Sequence, residues 1–166
     1  MVLEMKDNIT FRFVSWNELE SYCDKIYSNM LRDNYKPDCI IGLLRGGIVP
    51  ARIFSDHFNI LLDFFALDVK LYDGINKRME KARIKAFDGD VKGKSILCCD
   101  DIMDSGKTME AVLEYLKGEK VTTATVFWKE NSKTKPDYYA EIAKENEWIV
   151  FPWEVAEFNR EKIHGE

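Results

Sequence analysis

Histidine is nearly missing from this 166-residue chain: there are two, His57 and His164, far apart in sequence. The four cysteines, Cys23, Cys39, Cys98 and Cys99, show no CxxC spacing and have no histidines to join them. That argues against a zinc centre, and buried free thiols are expected instead. Cys98 and Cys99 adjoin in an apolar run, so as strand residues they should point to opposite faces of a sheet. No apolar run approaches the ~18 residues of a spanning helix. The first residues, Met1 to Asp7, carry acids and no apolar core, which is not a secretory pattern. A cytoplasmic protein without a membrane segment is expected. Excess positive charge is lacking too: the formal charge is −5, which argues against a dedicated nucleic-acid binder. There is no Ser/His/Asp or Cys/His constellation, no internal repeat and no low-complexity tract.

What is present fits one globular domain, with 46% hydrophobic and 32% charged residues. Ser15 with Glu18 three residues on forms a capping box. Leu19, Tyr22, Cys23, Ile26, Tyr27 and Met30 then recur at helical spacing, and Asn34 to Asp38 ends the helix. Cys39 to Leu44 is a continuous apolar run, as in a buried parallel strand, and it leads through Arg45-Gly46-Gly47 into a helix near Val49-Pro50. Ile60 to Val69 reads as a strand. Tyr72 to Lys92 is polar and aperiodic, a loop or short hairpin. Lys94 to Gly106 gives strand and loop, Met109 to Leu116 a helix ending at Gly118, and Val121 to Trp128 a strand. From Lys129 the β-α rhythm stops, so an appended lobe is expected. Strands alternating with helices imply an α/β fold, a Rossmann-like parallel sheet flanked by helices.

The informative stretch runs from Ser95 to Thr108. Its apolar strand delivers Asp100 and Asp101 to the carboxyl end, where open α/β sheets bind ligands. A turn with Ser105, Gly106 and Thr108 then enters a helix, presenting amide groups and hydroxyls to an anion such as a monophosphate. The paired acids suit a ribose diol or the hydration shell of Mg²⁺. Gly106-Lys107-Thr108 spells the end of a nucleotide-triphosphate loop, but that loop needs glycine where this chain has Asp101. A carboxylate there would repel phosphate.

The run Asp100-Asp101-x-x-Asp104-Ser105-Gly106-Lys107-Thr108 resembles the sugar-pyrophosphate motif of the type I phosphoribosyltransferases. Leu44-Arg45-Gly46-Gly47-Ile48-Val49-Pro50-Ala51 is similar to their pyrophosphate loop. Trp128-Lys129, Pro136-Asp137-Tyr138-Tyr139 and Trp148 to Glu154 resemble the base-binding end of the purine branch. The resemblance spans about residues 37 to 154.

It implies an enzyme that transfers the phosphoribosyl group of 5-phosphoribosyl-1-pyrophosphate to N9 of a 6-oxopurine, namely hypoxanthine, guanine or xanthine. In the implied roles Asp100 and Asp101 bind the ribose hydroxyls and Mg²⁺, and Asp104 is the acid/base near purine N7. Ser105, Gly106, Lys107 and Thr108 hold the 5′-phosphate, while Arg45, Gly46 and Gly47 hold pyrophosphate. Lys129 meets the oxygen at C6, Trp148 stacks on the base, and the Ile149 backbone reads the 2-position. Glu154 is a further candidate metal contact. Tyr72 is the nearest match to the closing loop's Ser-Tyr pair, preceded here by Leu71. The implied fold is a core of about residues 15–128 with a small hood of about 1–14 and 129–166, in a homo-oligomer. A phosphoribosyltransferase for another base, and a non-catalytic sensor of the sugar pyrophosphate, are the alternatives.

Overall fold

The computed structural model describes residues 2–6, 9–61, 63–72, 81–85 and 89–164. Its elements are β1 (Val2–Lys6), β2 (Ile9–Phe13), α1 (Trp16–Arg32), β3 (Cys39–Leu44), α2 (Ile48–His57), β4 (Phe64–Tyr72), β5 (Lys81–Lys85) and β6 (Ser95–Met103). They continue with α3 (Lys107–Tyr115), β7 (Lys120–Lys129), β8 (Tyr138–Ala143), β9 (Glu147–Val150) and α4 (Val155–His164). None of the described helices is long and apolar enough to cross a membrane.

Strand β3 is apolar along its length because helices cover both faces of the sheet it belongs to. Leu19, Cys23, Ile26 and Met30 of α1 and Ala51 and Phe54 of α2 share one core with Ile40, Leu97 and Cys99. On the other face Met109 and Val112 of α3 meet Ile41, Leu43, Ile96 and Cys98. The adjacent Cys98 and Cys99 thus fall into different cores, as strand alternation requires, and all four cysteines are free and buried.

The six-stranded sheet has the order β5-β4-β3-β6-β7-β8. Every pair is parallel except β4 with β5, which closes an antiparallel hairpin from Asp68↔Lys85 to Tyr72↔Lys81. The hairpin reading of Tyr72–Lys92 therefore holds for its strands, while residues 73–80 and 86–88 lie outside the described ones. After β3 the chain moves outward to β4 and β5. It then returns to β6 and moves outward the other way. The loops leaving β3 and β6 therefore lie side by side, at the switch point where such sheets bind ligands.

Local rules explain most element ends. Ser15 accepts from the Glu18 amide while Glu18 reaches back to the Ser15 amide, completing the expected capping box. Asn34 and Asn59 both take φ 54°, and the Tyr35 and Ile60 amides return to Met30 and Ser55 at 2.9 and 2.8 Å. These are left-handed helix stops. The second stop keeps Ile60 in the α2 cap, so β4 starts at Phe64 rather than at Ile60 as expected.

The segment after Lys129, expected wholly in the appended lobe, divides instead. β8 extends the central sheet beside β7, with Lys25 donating to the Ala140 carbonyl at 2.6 Å and covering that edge. Tyr138 and Tyr139 are half-buried against Tyr35 and Trp128. Only β9 leaves, to form a three-stranded sheet β1-β2-β9 with the N-terminal strands. Phe158 of α4 packs edge-on against Phe11 and Phe13 of that sheet, at 5.0 and 5.2 Å.

Candidate active site

The loop after β3 and the end of β6 interlock through glycine. A Cβ placed on Gly46 would fall on the Asp101 carboxylate, and one on Gly47 would meet the backbone at Cys99, Asp100 and Leu43. Only hydrogen side chains allow this approach. The Leu44–Arg45 peptide in this loop is cis. Arg45 extends into solvent and meets Glu157 of α4 at 3.5 Å.

The two aspartates divide their work by strand alternation. Asp100 lines a hollow of about 80 Å³ together with Asp104, Ser105, Gly106 and Thr108. Asp101 turns the other way, against Gly46. Each carboxylate also holds the next amide: Asp101 N–H donates to Asp100 Oδ1 at 3.0 Å, and Ile102 N–H to Asp101 Oδ1 at 2.7 Å. Burial, with the neighbouring Asp101 charge, pushes the Asp100 carboxyl well above the usual carboxylate range. Burial also raises Asp101 to about 6, against the opposing hydrogen bond from Ile102. Glu154, raised by burial and by Glu157, adds its charge on the Asp101 side. All three carboxyls are therefore harder to ionise than free ones.

The expected turn from Ser105 into a helix is present. Gly106 takes φ 81°, a left-handed conformation open to glycine, and caps α3 without a side-chain hydrogen bond. The first-turn amides of α3 have no partners within the helix and point towards its start. Gly106 is also crowded by Ser132 and Thr134, and the Lys133 amide donates to the Ser105 carbonyl at 3.3 Å. The turn at residues 132–134 thus braces the start of α3. No local pattern marks that contact, since its bond joins residues 105 and 133, which are 28 apart in the chain.

Lys129, at the end of β7, is 8% exposed. It pairs with Asp104 at 3.2 Å, while Asp104 itself is 64% exposed on its side chain. The two residues expected at the base are therefore brought together beside the Ser105–Gly106 turn. Trp148 belongs to the hood and is 58% exposed, so it is not a core residue. It lines a hollow of about 210 Å³ with Arg45, Val150, Glu154, Glu157 and Phe158. Trp153 stacks on Phe151 at 4.7 Å. The Ile149 side chain is buried, and its backbone faces differently. Thr10 and Val14 donate to Asn146 and Val150 across the parallel β2–β9 pair. By alternation, the N–H and C=O of Ile149 point away from β2, to the open edge.

Tyr72 is the last residue of β4, opposite Lys81, and its side chain lies outside the described ones. Glu157, which meets Arg45, was not legible in the sequence because nothing in its helix marks it. A larger hollow of about 780 Å³ between α1 and α2, lined by Trp16, Ile48, Ile53 and Phe64 among others, contains none of the expected site residues.

Comparison with known proteins agrees with this geometry. Residues 14–157 match the phosphoribosyl transferase domain. A xanthine-guanine phosphoribosyltransferase of Desulfotalea psychrophila is 33% identical over 143 residues, 85% of this chain and 84% of that protein. Its counterpart in Idiomarina loihiensis is 34% identical over 146 residues, covering 86% of each. Among solved structures, a purine phosphoribosyltransferase of Pyrococcus horikoshii superposes with a TM-score of 0.75 at 35% identity, covering 86% of this chain and 93% of that one. A Helicobacter pylori xanthine-guanine-hypoxanthine phosphoribosyltransferase gives 0.76 at 26% identity, covering 92% and 99%. Motifs, switch-point site and relatives converge, and the chain belongs to the type I phosphoribosyltransferases, in their purine branch, as an enzyme of that family.

Proposed function

We propose that this protein transfers the phosphoribosyl group of 5-phosphoribosyl-1-pyrophosphate to N9 of a 6-oxopurine, giving a nucleoside monophosphate and pyrophosphate. The observation that carries this reading is the buried Lys129 ammonium paired with Asp104 next to the anion cradle. A cation there donates to a purine oxygen at C6 and opposes the amino group of adenine, which would set donor against donor. Asp104 takes the proton that the base loses as its nitrogen bonds C1′. The exposed Trp148 supplies a stacking face, and the Ile149 backbone supplies one donor and one acceptor for the 2-position.

The reaction breaks the bond from C1′ to the pyrophosphate oxygen and forms the bond from C1′ to N9, through a transition state of oxocarbenium character. Arg45 and the Gly46-Gly47 amides hold the leaving pyrophosphate, and the 5′-phosphate sits on Ser105 to Thr108. Holding both substrates in line supplies much of the rate. No enzyme nucleophile is needed.

Asp100 and Asp101 are the residues that fit Mg²⁺, with Glu154 beside Asp101. Among the described residues no group of three or more acids, histidines or cysteines is close enough to hold a metal alone. That suits Mg²⁺, which keeps waters and commonly takes only one or two carboxylates together with substrate oxygens. When bound it would neutralise charge on the pyrophosphate. The same reading has the protein act in the cytoplasm as a homo-oligomer; the half-exposed Trp16 beside the α1–α2 hollow supports the latter.

The test is pyrophosphate release with Mg²⁺, 5-phosphoribosyl-1-pyrophosphate and each of hypoxanthine, guanine, xanthine, adenine, uracil and orotate. Turnover with 6-oxopurines and none with adenine is expected. Turnover with a pyrimidine alone would overturn the base assignment. Binding of the sugar pyrophosphate without turnover would make the protein a sensor.

A further inference from the structure

Strand β7 carries three alternate residues on the α3 face of the sheet: Val121, Thr123 and Thr125. Thr123 is fully engaged, donating to Asp137 Oδ2 at 2.8 Å and accepting from the Asp137 amide at 3.0 Å. Thr125 is 1% exposed, yet its hydroxyl has no hydrogen-bond partner. A buried orphan hydroxyl is costly, and such groups in a folded protein call for an explanation.

The register supplies one. Thr125 pairs directly with Asp100 across the parallel β6–β7 ladder, so their side chains stand next to each other on one face. On the other side of Asp100, one residue beyond the Gly42↔Cys99 pair, the neighbour is the apolar Leu43. The residue beside Thr125 on β8, Tyr139, has its ring against Trp128 at 5.2 Å. Asp100 already spends Oδ1 on the Asp101 amide. The hydroxyl one strand away is a donor that turns about a single bond, and Asp100 is an acceptor with capacity left.

We propose that Thr125 is a positioning residue for Asp100: its hydroxyl donates to the Asp100 carboxylate when the sugar pyrophosphate is bound, fixing the oxygen that faces the ligand. Asp100 opens onto the cradle and Thr125 does not, so Thr125 acts through the aspartate and not on substrate. The inference rests on the proposed reaction and adds to it a selective determinant of sugar-pyrophosphate affinity.

Thr125→Val replaces the hydroxyl with a methyl of nearly the same shape, and Thr125→Ser restores the donor. Thermal melts, calorimetric titration with 5-phosphoribosyl-1-pyrophosphate and Mg²⁺, and steady-state kinetics in both substrates test the idea. Thr125→Val should melt no lower than wild type, because no existing hydrogen bond is lost. Its affinity and KM for the sugar pyrophosphate should weaken about tenfold, the effect of one hydrogen bond to a charged group. The KM for the purine should change less than about twofold, and Thr125→Ser should recover most of the loss. Wild-type affinity in Thr125→Val would overturn the proposal, as would an equal loss for both substrates that serine does not rescue. If wild type itself neither binds nor turns over the sugar pyrophosphate, the reaction assignment falls first; an active wild type with an unaltered valine variant removes only the role of Thr125.

Discussion

A methyl group added at Gly47 meets main chain on three sides, at the Cys99 carbonyl, the Asp100 Cα and the Leu43 carbonyl. None of these is a flexible side-chain end, so β3 and β6 must part. Overpacking of this kind costs about 2–3 kcal/mol. For a chain of this length that lowers the melting temperature by roughly 5–10 °C. The three atoms nearest the same methyl at Gly46 all belong to the Asp101 carboxylate, a side-chain end that can swing aside for about 1 kcal/mol of rotamer strain. Gly46→Ala should therefore melt within about 3 °C of wild type. It displaces the carboxylate that faces the pyrophosphate loop, so affinity for the sugar pyrophosphate with Mg²⁺ should fall by about 10- to 100-fold, one charge-assisted contact. Differential scanning fluorimetry and calorimetric titration on both variants decide the matter. If Gly46→Ala is the variant that melts early, or if it binds like wild type, the placement of Asp101 over this loop is wrong.

Three further outcomes follow from the same geometry. Lys129→Met keeps the buried stem and gives up the pair with the exposed Asp104 and a long 3.5 Å bond to the Glu145 carbonyl, so stability should change by less than about 1 kcal/mol. Turnover with hypoxanthine should fall about 10- to 100-fold and the rejection of adenine should weaken; an unchanged base preference would remove Lys129 from the site. Asp101, raised to about 6 by burial, holds its proton more tightly folded than unfolded, where the value is about 3.9. Its favourable contribution is thus complete at low pH and is lost as pH rises through the window from about 3.9 to 6. In metal-free buffer, Asp101→Asn should melt above wild type at pH 7.5 and level with it near pH 4, and a lower melting point at pH 7.5 would contradict the buried charge. Ser15→Ala removes the hydroxyl that accepts from the Glu18 amide, while the residue-15 amide still reaches Glu18, and should cost about 1 kcal/mol without altering KM for either substrate.

The parts of this fold visible in the sequence are those governed by neighbours along the chain. The capping box at Ser15, the apolar run into Arg45-Gly46-Gly47 and the acids ending β6 are local patterns, and each appears where its spacing puts it. The departures have long-range causes. Tyr138 to Ala143 resembles hood sequence, but it completes the central sheet because β7 would otherwise carry an open edge. The start of β4 moved because Asn59 takes a left-handed conformation, which periodicity does not register. In the site, the separate roles of Lys129 and Asp104 came from the family resemblance rather than from spacing, and their ion pair is visible only in the structure. The contact of Glu157 with Arg45 and the brace of residues 132–134 on Gly106 depend on tertiary packing alone.

The pairing of β2 with β9 has a consequence for synthesis. Thr10 to Phe13 lie beside Glu147 to Val150, so one wall of the proposed purine pocket joins opposite ends of the chain. During translation the phosphate cradle and its supporting strands, through Lys129, have emerged while β2 still lacks its parallel partner. A nascent chain of that length holds β3, β6 and β7 but presents Phe11 and Phe13 on a strand without its parallel partner, a surface prone to association. The strand proposed to face the base is thus made well after the turn proposed to hold the phosphate, and a chain cut short before Trp148 would have the second without the first.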